Sequence, residues 1–162
     1  MAKSVGCTGI VSTISKDDLD RWTDSVTNVL DSPRARRKFN EFLSSRSFDD
    51  AALTLQFWEN CSKILSGVKQ DETLKKNNHL DLNIISHTRL RSNFSALIDF
   101  AIENVNFDAN ELRVMRQALV SNNIPTIIKT IENAQTTSAN LLLDEFQLFR
   151  DTLLKRVSTK CN

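Results

Sequence analysis

SFDDAALTLQFWENCSKIL, residues 47–65, decides the fold. Asp49 and Asp50 stand where carboxylates meet the positive end of a helix dipole, and Leu53, Phe57, Cys61, Ile64 and Leu65 then recur at helical spacing. Trp58 lies beside this stripe and widens it. Gly67 follows as a C-terminal glycine cap, so the spacing predicts a helix that this glycine ends. The adjacent Phe57 and Trp58 pose the question that the rest of the chain must answer: whether the pair is packing or part of a site.

Outward from this helix the chain keeps the same character. Glycine occurs only at positions 6, 9 and 67 and proline only at 33 and 125, so long segments contain neither strong helix breaker. Trp22, Val26, Val29 and Leu30 fall on one helical stripe, opened near residue 16 by Ser15 as N-cap with Asp18 at the third position. Ser32 before Pro33 reads as a cap with proline at the first helical position, starting a helix through Phe39, Phe42 and Leu43. Residues 68–83, VKQDETLKKNNHLDLN, show little apolar rhythm and are expected to form a loop or a marginal helical turn. A long helix is expected from about Ser86, with Leu90, Phe94, Leu97, Ile98, Ala101, Ile102 and Val105 on one broad face.

After NVNFDAN, a further helix carries Leu112, Met115 and Leu119, and SNNIP breaks the run before Pro125 opens a helix with Ile127, Ile128, Ile131 and Ala134. The last helix places Phe146, Phe149, Leu153 and Leu154 on a common side. No stretch alternates with period two, so the chain reads as all-α. The domain is expected to span residues 16–157, between an N-terminal tail, 1–15, and a C-terminal tail, 158–162.

Composition narrows the function. At 162 residues with 40% hydrophobic side chains, one compact domain can bury a core. With 21 basic and 20 acidic residues the net charge is +1, so no global field steers the chain toward nucleic acid, and a charge-driven partner must read a local patch. The densest such patch is Arg34, Arg36, Arg37 and Lys38. It fits an acidic partner or peripheral contact with an anionic membrane; it also fits a solvated helix face, with Ala35 and Phe39 turned inward.

Cys7, Cys61 and Cys161 are too few and scattered for a disulfide framework, and no segment reaches the roughly 20 apolar residues of a membrane span. The expectation is a cytoplasmic protein, with attachment at the inner face of the plasma membrane left open. Ala2 removes the myristoylation pattern and the position of Cys161 removes prenylation, which leaves palmitoylation at Cys7 as the open lipid route.

Catalytic constellations are missing. There is no glycine-rich phosphate loop, and the only histidines, His79 and His87, belong to no HExxH or CxxC arrangement. Cys61, three residues after Trp58, reads as a small buried hydrophobe. No cofactor or metal is expected, and catalysis by this chain alone is not.

The order of landmarks resembles a known family. RWTDSVTNVLDSPRARRKFNEFL (21–43) followed by LQFWENCSKIL (55–65) is similar to the opening of domains from the regulators of G-protein signalling (RGS). FAIENVNFDANELR (100–113), IENAQ (131–135) and LLLDEFQLFRDTLL (141–154) resemble that family's later helices and the turn between them. The similarity covers roughly residues 20–156. It implies a helical bundle of about eight or nine helices in two subdomains, with the FW pair chiefly core. It also implies a partner, a GTP-loaded Gα subunit whose switch regions the domain would hold in the conformation that favours hydrolysis. Such a protein needs no catalytic group of its own, because positioning and electrostatics carry phosphoryl transfer.

Residue by residue, the resemblance implies that Asn106 is the asparagine inserted beside the water-positioning glutamine of Gα, with Asp108 a nearby acidic contact and Asp144 the acid before the final aromatic. The chain departs from the pattern elsewhere. Leu53 and Thr54 replace an acidic–Asn pair, with Thr54 kept as a candidate contact, and the segment around SRSFDDAAL is longer. Leu148 stands where an arginine is expected, with Arg150 nearby. These departures admit an alternative, an RGS-like scaffold that binds another signalling protein without stimulating Gα. Asn106 and Asp108 are also ordinary turn and cap residues between two helices.

Overall fold

The computed structural model describes residues 14–75 and 81–158, and the side chains of 72–75, 81–83 and 156–158 are not part of that description. Cys7, Cys161 and His79 lie outside the described residues. Those residues form eight helices and no strand: α1 Lys16–Asp24, α2 Val26–Asp31, α3 Pro33–Ser45, α4 Asp49–Lys75, α5 Asp81–Asn104, α6 Ala109–Ser121, α7 Ile124–Leu141 and α8 Leu143–Ser158. They divide into two compact units, α4–α7 in a central unit and α1–α3 with α8 in a terminal unit, the divisions falling after Arg46 and after Leu142.

In the terminal unit, helix starts follow local hydrogen bonds. Ser15 Oγ accepts from the Asp18 amide at 3.0 Å, and Ser32 Oγ accepts from the Ala35 amide at 3.3 Å with Pro33 in the first turn. These side chains satisfy amides that have no partner within the helix. The stripe of Trp22, Val26, Val29 and Leu30 is buried, but one helix does not carry it. Ser25 takes an extended conformation and caps α2 through a 3.2 Å bond from the Asn28 amide, which separates α1 from α2. On α3 the buried face is Ala35, Phe39, Phe42 and Leu43, and the Phe39 and Phe42 rings meet Phe149 of α8 at 5.2 and 5.5 Å. Phe146, Phe149 and Leu153 are buried on α8, whereas Leu154, expected on the same side, is exposed. Its position one residue past Leu153 turns it about 100° around the helix.

In the central unit, α4 packs against α5 and α7, and α6 packs against α5 and α7. Two expectations fail here. Gly67 does not end α4, which continues to Lys75, and α5 begins at Asp81, so most of 68–83 is helical. One glycine inside a helix costs about 1 kcal/mol. Ile64, Leu65 and Val68 pack on the core on both sides of it and offset that cost. Beyond them Lys, Gln and Glu are good helix formers without an apolar stripe, and Asp71 on α4 pairs with Arg89 on α5.

The core of the unit is built from Phe57, Cys61, Phe94, Ala101, Ile127 and Ile131, all fully buried. Ile102, assigned to the buried face of α5, is exposed, because Ile98, Ala101 and Val105 already fill the inner stripe. A polar link crosses the unit where Gln135 Nε2 on α7 donates to Ser62 Oγ on α4 at 2.6 Å. Among the described residues no helix is long and apolar enough to cross a membrane.

Candidate partner-binding site

Residues 105–108, VNFD, join α5 to α6. The Val105 amide donates to the Ala101 carbonyl at 3.0 Å and the Phe107 amide to the Val105 carbonyl at 2.8 Å, so the turn is tight. Val105 and Phe107 are buried while Asn106 and Asp108 are exposed. The alternation has a plain cause: two apolar side chains anchored in the core leave their polar neighbours facing water.

Phe107 is held by Phe57. Their rings lie 5.1 Å apart at 84°, an edge-to-face contact that suits the aromatic quadrupole. Phe57 is fully buried and Trp58 nearly so, with the Trp58 carbonyl accepting from Gln135 Nε2 at 3.4 Å. The FW pair is therefore packing, and Phe57 acts at one remove on the turn through Phe107. No local sequence signal marks this contact, because the two residues are fifty positions apart.

Asp108 closes the turn. Its Oδ1 accepts from the Glu111 amide at 2.8 Å and caps α6. Its cap role is thus occupied structurally, whereas the Asn106 amide is exposed and makes no hydrogen bond among the described residues. Beside the turn a notch of about 90 Å³ opens between α6 and α7, lined by Phe107, Val114 and Met115 against Thr130 and Ala134. Val114 is 41% exposed at its rim.

Thr54 is buried and its hydroxyl donates back to the Asp50 carbonyl at 2.9 Å, so it presents no surface group, as the helix-interior position of a small polar residue allows. Asp144 is exposed in the first turn of α8, and Arg150, half-buried on the same helix, has a buried Nε without a partner among the described residues. Both belong to the terminal unit, whereas Thr54, Asn106 and Asp108 belong to the central one.

Most of the basic run is engaged within the terminal unit. Arg34 pairs with Asp18 at 2.9 Å and lies over the Trp22 ring at 5.7 Å. Arg36 is half-buried and donates to the Leu30 carbonyl, and Lys38 pairs with Glu41 at 3.0 Å. The expectation that all the arginines point outward fails at Arg36; Arg37 is exposed.

Burial pushes the Cys61 thiol up from 9.0 to about 12, so it stays protonated. Among the described residues no group of three or more His, Cys, Asp or Glu side chains could hold a metal ion. His87 is exposed on α5. No family model matches the chain, and neither a curated protein nor a solved structure matches it.

Proposed function

We propose that the chain is a regulator of G-protein signalling: it binds a GTP-loaded Gα subunit and accelerates GTP hydrolysis by stabilising the switch regions, with Asn106 as the inserted side chain. The observation that carries this reading is the turn at 105–108, where an uncommitted carboxamide stands on backbone fixed by Val105, Phe107 and the Asp108 cap. A carboxamide both donates and accepts, which suits it to hold another amide or a nucleophilic water in place. A turn already ordered before binding loses little entropy on docking. The all-helical chain, its division into two compact units and the ordered motifs along its length support the same reading. No catalytic group is required of such a protein.

The decisive measurement is single-turnover GTP hydrolysis by a small panel of Gα subunits, with binding compared between the GDP form and a transition-state mimic. Tighter binding to the mimic and loss of that preference in Asn106→Ala are expected. Equal binding to both nucleotide states would remove the proposal, since only differential affinity changes a rate.

A second reading has its own support. Thr54 is buried where the family pattern wants a surface polar residue, and Leu148, in place of an arginine, is 49% exposed. Both fit a scaffold that binds another signalling protein without stimulating Gα. Capture of a non-Gα protein that tolerates Asn106→Ala, with no change in hydrolysis across the panel, would select this reading.

A further inference from the structure

A second concavity lies within the central unit, away from the α5–α6 turn in its lining. It is a cleft of about 230 Å³ bounded by α4, α5 and α7. Its apolar wall is Ile64 and Val68 from α4, Leu90 from α5, and Ile124 and Ile128 from α7. Gly67 contributes no side chain, and a Cβ at that position would meet no atom within 4 Å, so the cleft stays open above the α4 backbone. This is the same glycine that sits in the helix interior at a cost to helix stability.

The polar groups at the cleft are unbalanced. Asp71 and Arg89 neutralise each other across α4 and α5. Lys63, also on the lining, is exposed and has no ionic partner among the described residues. Gln70, Ser86, His87 and Asn93 add polar groups to the same lining, and with histidine counted as neutral the remaining charge among the described lining residues is the positive one of Lys63. An apolar wall faced by polar groups, with one cation that has no ionic partner among the described residues, suits a small amphiphilic molecule.

We infer that this cleft binds a small amphiphilic monocarboxylate, its apolar body on Ile64, Val68 and Ile128 and its carboxylate on Lys63. Size sets the class. A cavity of about 150 Å³ takes benzene, so this one takes a body of roughly ten carbons, such as a bicyclic aromatic acid. Lys63, the one cation without an ionic partner among the described lining residues, matches one negative charge.

The test uses the full chain with 2-naphthylacetate as probe, the neutral 2-naphthylethanol for comparison, and inorganic phosphate alone as an anion without an apolar body. Amide and methyl shifts on titration are expected to cluster at Lys63, Gly67, Leu90 and Ile128. Phosphate alone is expected to shift nothing there. Lys63→Met should weaken the carboxylate about threefold to fivefold, the strength of one exposed ion pair, and leave the alcohol unchanged.

Gly67→Leu places a side chain over the cleft from a Cβ that meets no atom within 4 Å and improves helix propensity, so it should fold and abolish binding of both compounds. Equal affinity of acid and alcohol, unchanged binding by Gly67→Leu, or shifts scattered outside α4, α5 and α7 would each overturn the inference. The shift map on the unsubstituted protein decides the question even where a variant fails to fold.

Discussion

The contact between Phe57 and Phe107 ties the longest core helix to the turn that bears Asn106, and it makes a quantitative prediction. The rings stand 5.1 Å apart at 84°, within the range where edge-to-face geometry adds about 0.5–1.5 kcal/mol beyond buried area. Alanine is the wrong probe. Truncating one buried Phe costs about 3–5 kcal/mol, and two such losses would consume most of a total stability of about 5–15 kcal/mol. Leucine keeps most of the volume and removes the aromatic edge, so Phe57→Leu and Phe107→Leu should each cost about 1–2 kcal/mol.

The double variant should cost less than the sum of the two by about 0.5–1.5 kcal/mol, because the contact can be lost only once. Urea unfolding followed by both circular dichroism and tryptophan fluorescence provides the cycle, and coincident transitions justify two-state treatment. Phe107→Leu should also speed amide exchange at residues 106–108, since the turn loses its anchor. Additivity within about 0.3 kcal/mol would refute the argument, because residues that do not interact show only that much deviation.

Other expectations follow from single contacts. Asp108→Ala should destabilise the protein by about 1 kcal/mol through loss of the α6 cap, whereas Asn106→Ala should stay within about 0.5 kcal/mol in the same denaturation assay. Gly67→Ala should raise stability by about 0.5–1 kcal/mol, since the position is helical and open; a loss would mean that the glycine is needed for its backbone. Arg34→Ala should cost about 1 kcal/mol through Asp18 and Trp22, against a change within about 0.5 kcal/mol for Arg37→Ala, and equal effects would count against the structural role of Arg34.

Cys61 yields a pH prediction. Its folded pKa is raised from 9.0 to about 12, so between those values the unfolded chain loses a proton that the folded chain keeps. Its contribution is complete below pH 9 and declines by about 1.4 kcal/mol per unit as pH rises toward 12. Comparison with Cys61→Ala isolates it, and identical alkaline slopes in the two proteins would contradict the assignment.

Local chemistry made much of the fold readable. Ser15, Ser32 and Asp108 each accept from an amide three residues ahead, and Pro33 opens a helix, all interactions that close within one turn of chain. The stripes through Phe39 and Phe94 were readable for the same reason, since helical period shows in any short window. Reading failed for two reasons. The core on which Ile64 and Val68 pack, supplied by distant segments, carries α4 through Gly67, and the local Ser25 cap on the Asn28 amide divides the Trp22 stripe because periodicity alone leaves that stripe continuous.

The candidate site divides along the same line. The residues of the turn, the acid of its cap and the all-helical class were determined by the chain's own order, because caps and stripes depend on neighbours within about four positions. Which side chains reach water was not. Tertiary packing turned Asn106 outward by burying Val105 and Phe107, withdrew Thr54 from the surface, engaged Arg34 and Arg36, and opened the cleft over Gly67. Exposure depends on atoms supplied from fifty or more residues away, as Phe57 and Phe107 show, and no local pattern records them.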